Sequence, residues 1–536
     1  MNIFHSLQDN NFLEGFLNLP AFLISYAEIH YHFKFLVPKY YKKEPEIITD
    51  IPIRVIRNKD RTIPFLIIVK DAHLYNILIH SVKVTLEFKA GSRNLELNIN
   101  REIKEKYYSR IFDLDVRDIE PDQVLKISAK LEVKINDKIK IVVNDNYSDI
   151  NTEFYTTFYA RDSLPLPVDW FAGETHYHSI HTADQVEFGA DIPATAKMAQ
   201  ALGLNWVFIT DHSYDLDDSL DSYTENDKKL PIWLQMKENV KKSDSETLRM
   251  IAGEEVSIAN AKGKNVHMVA VDYKNFIEGR GDSAEKWFRN KPQRHLTEIS
   301  ELHQEDNLFF AAHPIDKVPF LQKLTLRRGN WTEQDYQESG INILQIINRS
   351  DQISLNSALN YWRKLLLKGK RFLIIAGNDA HGNFNVMRQI KIPFRKLFAS
   401  RDQVFGNFFT AFKYKNNSPA AGIKNGEIIV SNGPFLCFHL QTEKKNFSIG
   451  SIFSGKNARL TYEIGTTAEF GETRKLTLII GDCSKGTETE IINPKNNFII
   501  ELPENGYLRM ILNTENDGIV ITNPIWIEQI SVVTQT

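Results

Sequence analysis

Between residues 171 and 415 the chain carries seven short apolar runs, most with a histidine or an acid at or near one end. They are FAGETHYH, LNWVFITDH, RMIAGEEVS, VHMVAVDY, NLFFAAHP, INILQIIN and RFLIIAGNDAH. Short continuous apolar runs between turn-forming residues read as strands buried on both faces. Segments with helical spacing, such as IPATAKMAQALG and LNSALNYWRKLLLKG, lie between several of them. Strand–helix alternation of this kind predicts a parallel sheet covered by helices. The strand count suits a barrel better than a short open sheet.

The flanks have a different texture. From about 45 to 160, runs such as PFLIIVKD, VKVTLEFKA and LKISAKLEVKI alternate apolar and polar residues with period two. Such runs, broken by Asn, Asp and Gly, read as antiparallel strands of a sandwich. The stretch DSLPLPVDW at 162–170 holds two prolines and reads as an extended linker. From about 420, ARLTYEIG, RKLTLIIGD, FIIELP and YLRMIL read as strands of a second small β-sandwich. The expected organisation is a β-rich domain at 1–165, the α/β unit at 166–418 and a β-rich domain at 419–536. The run at 214–229, rich in Asp and Lys, reads as a solvated surface excursion.

Composition narrows the function classes. The 536 residues are 42% hydrophobic and 25% charged, as in a soluble globular protein. A net charge of -3 gives no basic excess for nucleic acid or anionic membranes. Two cysteines, Cys437 and Cys483, cannot build a disulfide framework. The N-terminal 33 residues lack a basic leader and an unbroken apolar core, so no signal peptide is read. No run of about 18 uncharged apolar residues predicts a transmembrane helix. A cytoplasmic protein is expected.

The chemistry lies in the position of the metal-ligand residue types. His176 and His178 end the first run, Asp211 and His212 the second. Glu254 and Glu255 sit within the third, His267 begins the fourth, His313 closes the fifth, and Asp379 and His381 follow the last. In parallel α/β barrels the strand C-termini share one rim, so residues distant in sequence meet there. Imidazole and carboxylate groups suit Zn, Mn or Fe. His176-x-His178 places both rings on one strand face, and Asp379-x-His381 does the same if its backbone is extended. His30-x-His32 has equal spacing, but no downstream histidine or acid set follows it, so it reads as one face of a strand. Trp206 and Trp233 read as core residues, and His295 and His303 as ordinary histidines on a helix.

The ordered set GETHYHS, ITDH, GEEVS, NVHM, AAHP and GNDAHG resembles the PHP family, named for polymerase and histidinol phosphatase domains. TADQVEFGA and the final GNDAHG resemble its carbaryl-hydrolase-like branch most. The resemblance covers roughly 170–435, including VSNGP at 430–434. It implies a distorted (β/α)7 barrel, here flanked by β-sandwich-like domains. It also implies two to three divalent ions (Zn, Mn or Fe). The first would take His176, His178, Glu255 and Asp379. The second would share Glu255 and add His267 and His313. The third would take His212, His381 and either Asp184 or His181. Glu254 is the alternative to Glu255, because neighbouring strand residues face opposite sides.

Divalent ions of this kind activate water and polarise a scissile P=O or C=O bond. The expectation is a metal-dependent hydrolase acting on a small molecule, with a phosphoester as the favoured substrate. His181 is a candidate acid for the leaving group, with a structural histidine that supports the ligands as its alternative reading. Arg349 and Arg388 are candidates for meeting phosphate oxygens, with surface ion pairing as theirs. The enzymatic alternative is a carbamate, ester or amide hydrolase. An alternative of another class is a binding or structural protein that keeps the metal for stability.

Overall fold

The computed structural model describes residues 44–146, 154–182, 189–281, 291–304, 306–318, 320–347, 352–387, 401–413 and 418–529. His30, His32, Asp184, Arg349 and Arg388 lie outside the described residues.

Period-two alternation in the first part becomes nine strands. They are β1 (Glu46–Asp50), β2 (Arg54–Ile56), β3 (Thr62–Lys70), β4 (Ile77–Phe88), β5 (Gly91–Ile103), β6 (Tyr107–Asp115), β7 (Gln123–Ile135), β8 (Lys138–Val143) and β9 (Tyr155–Ala160). One sheet has the order β1-β3-β6 and the other β2-β9-β7-β4-β5, with β8 also on β7. Val82, Val84 and Leu86 of β4 and Leu125, Ile127 and Leu131 of β7 are fully buried in their common core. Each such side chain contributes about 1.5–3 kcal/mol by leaving water.

The apolar runs of the middle part form β10 (Trp170–His178), β11 (Trp206–Ile209), β14 (Arg249–Ala259), β15 (Asn265–Val271), β16 (Leu308–Ala311), β17 (Ile343–Ile347), β18 (Leu373–Ala376) and the two-residue β19 (Ala380–His381). Between them lie α1 (Ile192–Leu202), α2 (Ser213–Leu216), the hairpin β12 (Asp218–Ser219) and β13 (Ser222–Asn226), α3 (Pro231–Ser243), α4 (Phe320–Thr325), α5 (Glu333–Ser339) and α6 (Gln352–Leu367). Local chemistry sets the ends of α1. Asp191 accepts from Ala194 N at its start, and Gly203 at φ 89° closes it.

The helix-rich α/β barrel expected from these runs is not what forms. The described residues are mostly β-sheet, 46% strand against 16% helix. Three of the seven helices among the described residues have only four to six residues. β10, β11 and β14 run parallel, as do β16, β17 and β18, but β15 pairs antiparallel with both β14 and β16. The tight turn at 260–264, where Asn260 N bonds Lys264 O, replaces the expected helical crossover. A hairpin strand buried on both faces has the same continuous apolar sequence as a parallel one, so composition could not separate the two.

Nor does the sheet end with the middle part. β10 pairs antiparallel with β20 (Phe409–Lys413), and after α7 (Pro419–Lys424) the sheet continues through β21 (Ile428–Ser431). It then enters strands of the last hundred residues, in the order β18-β17-β16-β15-β14-β11-β10-β20-β21-β30-β29-β26-β27. Those strands are β22 (Phe435–Gln441), β23 (Asn446–Ser448), β24 (Ile452–Phe453), β25 (Asn457–Gly465), β26 (Thr473–Asp482), β27 (Thr487–Ile492), β28 (Phe498–Glu501), β29 (Asn505–Thr514), β30 (Ile519–Thr522) and β31 (Ile525–Glu528). A four-stranded sheet β23-β22-β25-β28 completes this part. A single apolar cluster runs from Ile48 through Ile209 and Phe435 to Ile527.

The run at 214–229 is not a solvated excursion throughout. It supplies α2 and the β12–β13 hairpin, and Asp215, Asp217 and Asp218 are buried. Trp206 is buried in the core, and Trp233 packs edge-on against Phe276. No helix among the described residues is long and apolar enough to cross a membrane.

Candidate metal centre

β10 delivers His176 and His178 side by side, their Nε2 atoms 3.0 Å apart. Tyr177 between them points the other way, to Thr195 of α1 and Phe405. His212 follows β11 and forms a parallel bridge with Glu255 of β14. On the antiparallel β14–β15 pair Ser257 faces His267, so Glu255 and His267 are diagonal neighbours on one face. His313 follows β16, and Asp379 and His381 follow β18.

Every one of these side chains meets Glu255 or its immediate neighbours. Glu255 Oε1 lies 2.5 Å from His267 Nδ1 and 3.0 Å from His313 Nε2. Glu255 Oε2 lies 3.0 Å from His212 Nδ1, 3.3 Å from His178 Nε2 and 3.4 Å from His176 Nε2. Asp379 Oδ1 is 3.1 Å from His178 Nε2 and 3.4 Å from His176 Nε2. The His381 ring stacks on His178 with centroids 4.0 Å apart.

Three groups could each hold an ion: His176, His178, Glu255 and Asp379; Glu255, His267 and His313; and His178, His212 and His381. Among the described residues His178 thus enters two groups; of the two residues expected to complete the third, Asp184 lies outside the described residues. Asp379 and His381 serve different groups. Asp379 sits at φ 52°, not extended, so the two side chains do not form the expected pair. His313 is also left-handed, at φ 30°. Such backbone is costly for residues other than glycine and is retained where the surroundings over-determine it.

Glu254 faces away. It accepts from Ile277 N at 3.0 Å and from Ser213 Oγ at 3.2 Å. Burial pushes its carboxyl up to about 8. Burial also pushes upward at Glu255, but His267, His176 and His212 hold that carboxyl well below the usual range. Burial disfavours charge on His176 and His178, yet the facing carboxylates bring both up to about 9. His212 is pushed down to about 4, by burial and then by His178. Without an ion the set is poorly satisfied. His212 Nδ1 and Glu255 Oε2 are buried and 3.0 Å apart, yet neither meets hydrogen-bond geometry with any group among the described residues.

His181 is not in any of the three groups. It is buried, its Nε2 lies 3.3 Å from Asn239 Nδ2, and burial lowers its pKa. Several supporting residues were not singled out by the sequence reading. Gln345 of β17 donates to Gly377 O at 2.8 Å, which turns its Oε1 toward His176 Nδ1 at 2.7 Å. A lone glutamine in the apolar run INILQIIN was the available signal. Gln403 Nε2 donates to Asp379 Oδ2 at 2.9 Å. A Cβ at Gly377 would fall 2.2 Å from Thr175 Oγ1 and 2.9 Å from His176 Cβ, so glycine lets the exit of β18 pass this close to β10.

No family model matches the chain, and no curated protein matches it. Among solved structures it is similar to Parabacteroides merdae β-glucuronidase at 9% identity and a TM-score of 0.17, covering 91% of this chain and 64% of that one. The chain thus spans under two thirds of the glucuronidase. A β-D-mannosidase from Dictyoglomus thermophilum aligns at 8% identity and a TM-score of 0.19, over 91% of this chain and 67% of that one. A Paenibacillus cycloisomaltooligosaccharide glucanotransferase aligns at 8% and 0.16, over 90% and 72%. Superpositions this loose carry no argument about fold or activity.

Proposed function

We propose that the chain is a metal-dependent hydrolase whose centre holds two to three divalent ions, Zn, Mn or Fe, and that it cleaves a small phosphoester. The observation that carries this reading is Glu255, one buried carboxylate with five imidazole nitrogens around its two oxygens. A structural carboxylate needs one or two partners; one ringed by imidazole nitrogens would suit a ligand shared between ions. The order of these ligands along the chain also fits the PHP resemblance.

His176, His178, Glu255 and Asp379 would hold the first ion, Glu255, His267 and His313 the second, and His178, His212 and His381 the third. Bound there, divalent ions supply a water of lowered pKa and a Lewis acid for the scissile bond. The chain's own contribution is to exclude bulk water and set charge. His176 and His178 have no exposed side-chain surface, whereas His313 and Asp379 keep 10% and 14% and mark the open side. Among the described residues two carboxylates, Glu255 and Asp379, face the groups, and together they offset less charge than two or three divalent ions carry. An anionic phosphate ester is the substrate class such a surplus favours over a neutral carbamate.

The test joins elemental analysis of the purified protein with turnover of aryl phosphates, aryl esters and aryl carbamates in Mn and Zn. Two or more ions per chain and chelator-sensitive phosphate release are expected. Fewer than two ions would overturn the centre. Cleavage confined to neutral esters or carbamates would overturn the phosphoester.

A further inference from the structure

Six imidazoles converge on the centre, and which nitrogen each ring offers depends on what holds its other nitrogen. For His178 that partner is Thr182 Oγ1, 3.1 Å from Nδ1. A hydroxyl has one proton and two lone pairs. The Thr182 proton goes to Asp211 Oδ1 at 2.9 Å. One lone pair receives the His212 backbone N–H at 3.4 Å. The hydroxyl can therefore only accept from the imidazole, which places a proton on His178 Nδ1 and leaves Nε2 facing Glu255 and Asp379.

Asp211 is a fixed anchor for this arrangement. Its Oδ1 also accepts from Ser179 N at 2.6 Å and Thr182 N at 3.1 Å, and its Oδ2 from Ser179 Oγ at 2.7 Å. Asp211 is fully buried and Thr182 is 1% exposed, so water does not compete for these bonds. Asp211 stands beside His212 at the end of a strand, where the sequence offers it as a ligand. All the described hydrogen bonds of its carboxylate run instead to the Ser179–Thr182 loop.

We propose that Thr182, anchored by Asp211, is a positioning residue that locks His178 in its Nδ1–H tautomer and presents Nε2 to a divalent ion. The same oxygen takes the His212 backbone N–H, so it ties the β10 and β11 ligands together. This inference rests on the reading of the site as a metal centre.

Metal-free protein is titrated with Zn and Mn in competition with a chromogenic chelator, for wild type, Thr182→Val and Thr182→Ser. Thermal unfolding in excess chelator checks each fold. Thr182→Val keeps the shape and removes the hydroxyl, so affinity for the tightest ion drops about 10–100-fold. Thr182→Ser keeps the hydroxyl and stays within about threefold of wild type, on the same scale. Thr182→Ala replaces the valine variant should that fail to fold, with the same loss expected. Wild-type affinity in the hydroxyl-free variant overturns the relay alone, as does a serine variant as weak as the valine one. A wild-type protein that binds neither ion overturns the metal centre, and the relay with it.

Discussion

Glu254 and Glu255 are neighbours on one strand and face opposite environments: Glu255 looks into a ring of imidazoles, and Glu254 bonds Ser213 Oγ and Ile277 N. Burial keeps the Glu254 carboxyl protonated up to about pH 8. Its folded form therefore binds a proton that the unfolded chain has lost above the ordinary glutamate value of 4.5. Stability from this group falls as pH rises from the unfolded pKa through 8. Glu254→Gln should mimic the neutral acid, retain metal and flatten that slope, as read by denaturant midpoints between pH 5 and pH 9. Glu255→Gln should lose metal and activity by about 100-fold or more, beyond the range for supporting residues. The pair would be misassigned if Glu254→Gln lost the metal and Glu255→Gln kept it.

Metal uptake should be strongly pH-dependent. Although burial opposes it, facing carboxylates hold His176 and His178 at about 9 in the metal-free protein. A raised folded pKa contributes stability that is complete below 6.5 and lost as pH climbs through 9. Ions need the neutral rings, so binding releases protons and strengthens over the same window. The rise in Tm produced by metal should grow between pH 6.5 and 9. Calorimetry in buffers of different ionisation enthalpy should register proton release, and a pH-independent increment would contradict this.

Gln345→Met should weaken metal binding about 10–100-fold, because His176 Nδ1 loses its acceptor. Chelator competition reads the loss directly. A metal-free Tm close to that of wild type would separate it from general unfolding.

Arg54 joins distant parts of the chain: Glu469 at 2.7 Å, Leu202 O at 3.2 Å and Asp162 O at 2.7 Å. Its side chain is 8% exposed and that of Glu469 13%, so the pair is largely out of water. Arg54→Met should cost about 3 kcal/mol, because Glu469 is left buried without its cation. Adding Glu469→Leu should recover much of this in chemical denaturation. No recovery in the double variant would show that the carbonyl contacts, not the ion pair, dominate.

Much of the candidate site was legible in the chain itself. The order of histidines and acids at the ends of apolar runs, the period-two flanks and the helices at 192–202 and 352–367 depend on neighbours a few residues apart, and local alternation and capping encode those directly. Tertiary structure decided what local patterns cannot express. The direction of β15 and the continuation of the sheet from β10 through β20 into the C-terminal strands arise from hydrogen bonds between segments far apart. The face that Glu255 presents, the separation of Asp379 from His381 and the grip of Thr182 on His178 follow from strand register and from two backbone angles. Chemistry is carried by residue type, but direction and register are set only when the strands pair.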